Sequence, residues 1–308
     1  SSVVKLLMTF FVTYTAKTIK GELPSSLQPY LATKPGSVMA FMDQMMNSIL
    51  YRAKFDSLSQ QVFKYIHGEN NLAELSAQDV LNLDVFPVAD DTMIEWMIDR
   101  LLAEDLNAEM EGSSIPQLIK YRDTKHFAER YTTDYHLLKH AYYVVQAVAF
   151  LPEDDILSLI KQYDDQTYLV DTHYRKFYYY YDHLTDVHKY EELRSLVENI
   201  YTNRYLDVII KRFNDLFSYE KVKGQFKLQK DFYNNFVRNN KERTIVIISD
   251  GLRYEVAKEL VKRFQRDEKT TATIEPQIGV LPSYTQLGMA SLLPHQSLTI
   301  SEDYEVKV

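Results

Sequence analysis

The sequence predicts a mainly α-helical region followed by an incomplete α/β unit, with the helical region over residues 1–240 and the α/β unit over 241–308. Three observations predict this. Apolar residues recur every three or four positions from about residue 38 to 240. Few prolines interrupt 120–240, and Gly224 alone breaks a long glycine-free stretch. At Thr244 the pattern changes to a short β-branched run ending on Asp250.

The elements follow in chain order. After the Pro35-Gly36-Ser37 breaker, Val38, Phe41, Met42, Met45, Ile49, Phe55, Leu58, Val62 and Ile66 predict one long amphipathic helix or two in line. A helix over 91–106 presents Ile94, Met97, Ile98, Leu101 and Leu102 on one side, after the Phe86-Pro87 turn. Further helical signals cover 114–130, 134–149, 153–180 and 183–217. No repeat of fixed period is present, so the region reads as a bundle or stack of helix pairs. Thr244–Ser249 then predicts a buried parallel strand, Gly251–Phe264 a helix, Thr270–Ile278 a second strand and Thr285–Leu292 another helix. One such unit cannot close a sheet core, so it is expected to be buried against other chain.

Composition narrows the class. With 308 residues and 45% apolar content the chain can build sizeable cores. Its 35 basic and 43 acidic residues leave a formal charge of -8, which predicts no general attraction to nucleic acid or an anionic membrane. The absence of cysteine excludes disulfides and thiolate metal sites. Lys5, Lys17 and Lys20 interrupt the apolar opening, so no membrane span is expected and the compartment is read as cytoplasmic. The absence of an initiator Met predicts a piece of a longer parent.

Two residues carry the strongest chemical signal. Asp250 ends the β-branched run with Gly251 behind it, a position that presents a divalent-metal ligand or caps the next helix. Thr285, after the Pro282-Ser283-Tyr284 corner, is an alkoxide nucleophile if a metal lowers its pKa, and a helix cap otherwise; Ser283 competes for the same role. Arg253 is within reach of a phosphate, or forms a surface ion pair. Lys258, Lys262 and Arg263 interleave with Glu255 and Glu259, which predicts a salt-bridged, solvated helix. His136 and His140 share a helical face without the central Glu of a zinc-protease motif. The 24 tyrosines, with FYYYYDHL at 177–184, predict helix packing ahead of base stacking or a partner groove.

The string VIISDGLRYEVAKEL, followed by LPSYTQLGMASLLP, resembles the opening of the PglZ domain, a branch of the alkaline phosphatase superfamily. The LDVFP corner at 83–87, IPQLIKYRDTKHF at 115–127, and YRKFYYYYDHL leading to ENIYTNRYLDVIIKRF resemble the region preceding that domain in PglZ proteins of BREX phage-defence systems. The resemblance therefore covers nearly the whole chain and implies an α/β unit of alkaline-phosphatase-like type. It makes Asp250 a metal-binding aspartate, and Thr285 both a metal ligand and the nucleophile. It implies two divalent ions, zinc for preference, and phosphatase or phosphodiesterase chemistry through a phosphothreonine.

The superfamily's remaining ligands come from well past the nucleophile, so the metal site is expected to be incomplete here and the chain to show no sustained turnover. Implied partners are other defence-system proteins docked by the helical region, and a nucleic acid or other phosphoester substrate in the parent. The competing reading is a non-catalytic scaffold within the defence complex.

Overall fold

The computed structural model describes residues 2–308. The chain divides into two units, one comprising Ser1–Ala147 with His173–Tyr201 and the other Val148–Thr172 with Thr202–Val308.

The first unit is helical throughout most of its length, with helices Ser2–Thr18, Pro35–Asn47, Arg52–Tyr65, Val88–Leu102, Ile115–Arg122, Thr132–Val145 and Glu191–Asn199. The stretch expected as one helix or two between 38 and 66 is two. A turn at Ser48–Tyr51 separates them, where the Ser48 carbonyl accepts from both Tyr51 and Arg52, and Ile49 there is 96% exposed. Pro35 opens the first of the pair, where its missing N–H costs nothing. The helix expected over 91–106 runs Val88–Leu102 and buries Met93, Ile94, Met97 and Leu101. Ser114 and Gln117 form a reciprocal capping box that starts Ile115–Arg122. A two-residue antiparallel hairpin, Glu109–Met110 with Ser113–Ser114, was not expected; it turns through Glu111 and Gly112, both at positive φ.

The centre of this unit is a buried polar node. Arg122 and Asp90 are both fully buried. Asp90 Oδ1 accepts from Arg122 Nε and Nη2 at 2.8 Å each and from the Tyr135 hydroxyl at 2.6 Å. Arg122 Nη1 donates to the carbonyls of Leu81 and Leu83 at 2.9 Å each. The LDVFP corner is thus pinned by one guanidinium, because only Arg offers five donors in a planar fork and keeps its charge when buried. Ser59 Oγ donates to the Val85 carbonyl at 2.6 Å and secures the corner from the other side.

The tyrosine-rich run sorts by helical face. Phe177 is fully buried and Tyr179 is exposed. Tyr174 stacks on Tyr201 with ring centroids 3.6 Å apart, and Tyr174 and Tyr178 both donate to Glu198. His136 and His140 lie parallel to the Tyr180 ring, and His140 Nδ1 is 2.8 Å from His173 Nδ1. Among the described residues no helix is long and apolar enough to cross a membrane.

The second unit contains helices Ile156–Gln162, Asp207–Leu216, Tyr254–Phe264 and Thr285–Ser291. The long helices expected over 153–180 and 183–217 are each interrupted by a π-helical turn, Tyr163–Thr167 and Ile200–Leu206. The first of these turns receives the helix Tyr254–Phe264. Lys258 Nζ lies 2.5 Å from Asp164, the Tyr254 hydroxyl donates to the same carboxylate, and Lys262 donates to the Tyr168 hydroxyl at 3.1 Å. With Glu255 only 1% exposed, the solvated helix expected here is instead a docked one. Lys258 and Lys262 are both used against a neighbouring turn.

The expected strand at Thr244–Ser249 is not formed. No described segment pairs with it, and a β-branched run without a neighbour has nowhere to place its backbone hydrogen bonds except water. Ile245 and Ile247 are more exposed than Val246 and Ile248, the period of two that extended backbone imposes. Of the second expected strand only Gln277–Ile278 forms, and it pairs in parallel with Lys227–Leu228. A short antiparallel pair, Thr299–Ile300 with Val306–Lys307, follows. Sheet is therefore sparse, and the molecule is mainly helical.

Candidate functional site

The parallel pair and the helix Thr285–Ser291 frame a cavity of about 480 Å³ in the second unit. Asp250, Ser249, Ser283, Thr285 and Gln229 line it, against an apolar wall that includes Phe213, Phe217 and Ile248. Phe213 and Phe217 stack with centroids 5.0 Å apart, one helical turn from each other.

Asp250 reaches the cavity from a turn. Gly251 behind it sits at φ +74, a conformation that costs a side-chain-bearing residue about 1–2 kcal/mol and glycine almost nothing. The following helix begins at Tyr254 with Arg253 in the capping position. Asp250 is therefore not the helix cap; it lines the cavity instead. Thr285 is the first residue of its helix, with Tyr284 in the capping position, so the cap reading for Thr285 does not hold either. The Leu281–Pro282 bond is cis, Tyr284 N–H donates to the Pro282 carbonyl at 2.7 Å, and this corner turns the chain into the helix. Ser283 and Thr285 are both exposed on it, which keeps two hydroxyls at the site.

Asp250 and Thr285, from separate segments, thus share one cavity. Arg253 is exposed and does not line it. Behind Arg253, burial alone would raise the Asp164 carboxyl, but hydrogen bonds from Lys258 and Tyr254 outweigh it and hold the group below the ordinary aspartate range. That pairing fixes the helix which follows the Asp250 turn.

Among the described residues no group of three or more His, Asp or Glu side chains is arranged to hold a metal ion. Asp250 and Thr285 supply oxygen donors of the type a hard or borderline divalent ion accepts.

Gln229 is the cavity residue that sequence reasoning missed. It belongs to the stretch read as helical, and a lone glutamine carries no periodicity or spacing signal. Phe213 and Phe217 were read only as part of an amphipathic helix, since one helical face looks the same whether it meets a core or a cavity.

Residues 228–308 match the family model described as the BREX system PglZ alkaline phosphatase-like domain. The chain is 33% identical to the alkaline phosphatase-like protein PglZ of Bacillus cereus (strain H3081.97), over all of this chain and 37% of that protein. It is 28% identical to the alkaline phosphatase-like protein BrxZ of Escherichia coli O9:H4 (strain HS), over 85% of this chain and 32% of that protein. The chain spans about a third of the length of these curated relatives. No solved structure matches it.

Proposed function

The chain belongs to the PglZ family, and from that premise we propose that it is part of a metal-dependent phosphoric ester hydrolase acting in a BREX phage-defence system. The observation that carries this reading is that Asp250 and Thr285, both within the family-matched region, line one cavity. In this reading residues 241–308 are the N-terminal part of an α/β PglZ domain. Residues 1–240 dock other proteins of the defence system in the cytoplasm.

The Thr285 hydroxyl gives its proton to solvent as its oxygen attacks phosphorus; the P–O bond to the ester oxygen breaks, leaving a phosphothreonine and an alcohol that takes up a proton from water. Water then cleaves that phosphoester and returns the free hydroxyl. Asp250 and Thr285 would hold divalent ions, zinc for preference, together with ligands from elsewhere in the longer protein. Such ions, when bound, lower the pKa of the hydroxyl and neutralise charge on the phosphoryl oxygens. The apolar wall at Phe213 and Phe217 borders the same cavity. Arg253 is assigned to a substrate phosphate, approaching from the capping position of its helix.

The chain spanning residues 1–308 lacks enough ligands for two ions and shows no sustained turnover on this reading. The test is hydrolysis of a generic phosphodiester and a monoester by the longer protein in zinc or manganese, beside Thr285→Ala. Loss of at least about 10³-fold in kcat with metal content retained supports the nucleophile. Equal silence from both proteins with metal bound would sink the hydrolase and leave a scaffold.

A further inference from the structure

We infer that Gln229 is a positioning residue for Thr285, its carboxamide tying together the two ends of the loop that carries the hydroxyl. This rests on the reading of Thr285 as nucleophile, but the tie itself does not.

Gln229 follows directly on Lys227–Leu228, which pairs in parallel with Gln277–Ile278. The register carries it alongside Gly279 and Val280. From there Gln229 Oε1 accepts the Val280 N–H at 3.2 Å, and Gln229 Nε2 donates to the Gly288 carbonyl at 3.1 Å. Val280 stands before the cis-proline corner and Gly288 stands in the helix after it, so the two bonds close the loop containing Ser283 and Thr285. The orientation of the carboxamide is fixed by its partners, because a backbone N–H needs an acceptor and a carbonyl needs a donor. The far end is further anchored by the fully buried Ser291, whose hydroxyl donates to the same Gly288 carbonyl at 2.6 Å.

Within the loop, Leu281, Pro282, Ser283 and Thr285 are all exposed, so apolar packing does little to fix the height of the Thr285 hydroxyl above the cavity floor. A neutral side chain offering both a donor and an acceptor suits this place. Glutamate would offer no donor to Gly288 and would add a second negative charge to the cavity beside Asp250. Misplacing a reacting atom by about 1 Å can cost on the order of 10²-fold in rate. The role assigned to Gln229 is therefore in kcat rather than in substrate affinity.

The experiment uses the longer protein with two variants, Gln229→Met, similar in length and without the amide, and Gln229→Glu, which retains the acceptor alone. Turnover of bis(p-nitrophenyl) phosphate in zinc is read beside hydrogen exchange at the Val280 amide. Gln229→Met is expected to lower kcat about 10–100-fold with KM within about threefold, and to lose protection at Val280. Gln229→Glu is expected to keep that protection and lose part of kcat. Unchanged kcat in Gln229→Met, whether or not Val280 loses protection, overturns the positioning role. If Gln229→Met does not fold, unchanged kcat in Gln229→Glu overturns it. If the unaltered protein hydrolyses neither diester nor monoester, the hydrolase reading falls by itself; retained Val280 protection in Gln229→Met then overturns the tie as well.

Discussion

The Arg122 node in the first unit and the Asp250–Thr285 cavity in the second treat polar groups in opposite ways. Around Arg122 a full charge is removed from water and met by one carboxylate oxygen and two carbonyls, with a tyrosine hydroxyl donating to the same carboxylate oxygen. At the cavity, Asp250 and Thr285 stay exposed, one beside a turn and the other at the start of a helix. Saturated donors and acceptors hold a fold in place, whereas exposed ones remain available to a ligand. One oxygen departs from this at the node itself: Asp90 Oδ2 is buried without a hydrogen-bond partner, while Oδ1 accepts three donors.

Removing the guanidinium tests the contrast most severely. Arg122→Ala leaves the Asp90 carboxylate buried without its cation and strips the Leu81 and Leu83 carbonyls of their donor. The expected cost is about 3–5 kcal/mol, a large share of the stability of a typical domain. Urea unfolding followed by circular dichroism measures it. A loss under about 1 kcal/mol would mean that the node relaxes to water and is not the closed structure described. Thr285→Ala, by contrast, is expected to leave the midpoint within about 0.5 kcal/mol, since Thr285 is exposed.

The same contrast explains what could be read from the sequence. Helix faces such as Met93, Ile94, Met97 and Leu101 follow from a period of 3.6, which local sequence encodes directly. The turn at Ser48–Tyr51 and the π-helical turns leave that period almost unbroken, so helices interrupted by them read as continuous. Asp250 and Thr285 were legible because a β-branched run ending in Asp-Gly and a Pro-Ser-Tyr-Thr corner are local strings. The node and Gln229 were not, because each joins segments far apart in sequence. The strand expected at 244–249 failed for the complementary reason: β-propensity describes a residue's fit to a sheet, and pairing requires a neighbour that local sequence does not contain.

A second test uses pH on the first unit alone. Burial, followed by the neighbouring His173, Lys176, Lys139 and His136, pushes the His140 imidazole down to about 3. A histidine whose folded pKa lies below its unfolded value near 6.5 is neutral in the native state and must lose a proton preference on folding. Its contribution to stability is complete above about pH 6.5 and is lost as pH falls from there toward 3. Between pH 6.5 and 5 the loss is expected to approach roughly 2 kcal/mol, and His140→Phe should flatten that part of the curve. Unfolding midpoints at pH 5, 6 and 7.5 decide it: parallel pH profiles for the two proteins would show that His140 does not carry the dependence. Asp84 adds a slope of the same chain in the opposite sense, since burial raises its carboxyl despite the His126 N–H and nearby Lys125 and Arg122. Its contribution is greatest below the ordinary aspartate pKa and fades as pH rises, which is why the comparison is made against His140→Phe rather than against pH alone.

The smallest expected effect lies at the exposed run. Ile247 is 86% exposed, so Ile247→Lys removes almost no buried area from this chain. Its unfolding midpoint is expected to move by less than about 0.5 kcal/mol. In the longer protein the same substitution discriminates between two states of the segment. A run that acquires strand neighbours there buries Ile247, and a lysine in its place costs at least about 2 kcal/mol through lost apolar burial and a desolvated charge. A run that stays solvated in the longer protein tolerates lysine equally well in both. The difference between the two measurements therefore reads out whether Thr244–Ser249 enters a sheet, and equal values would leave the β-branched run without the role its sequence predicts.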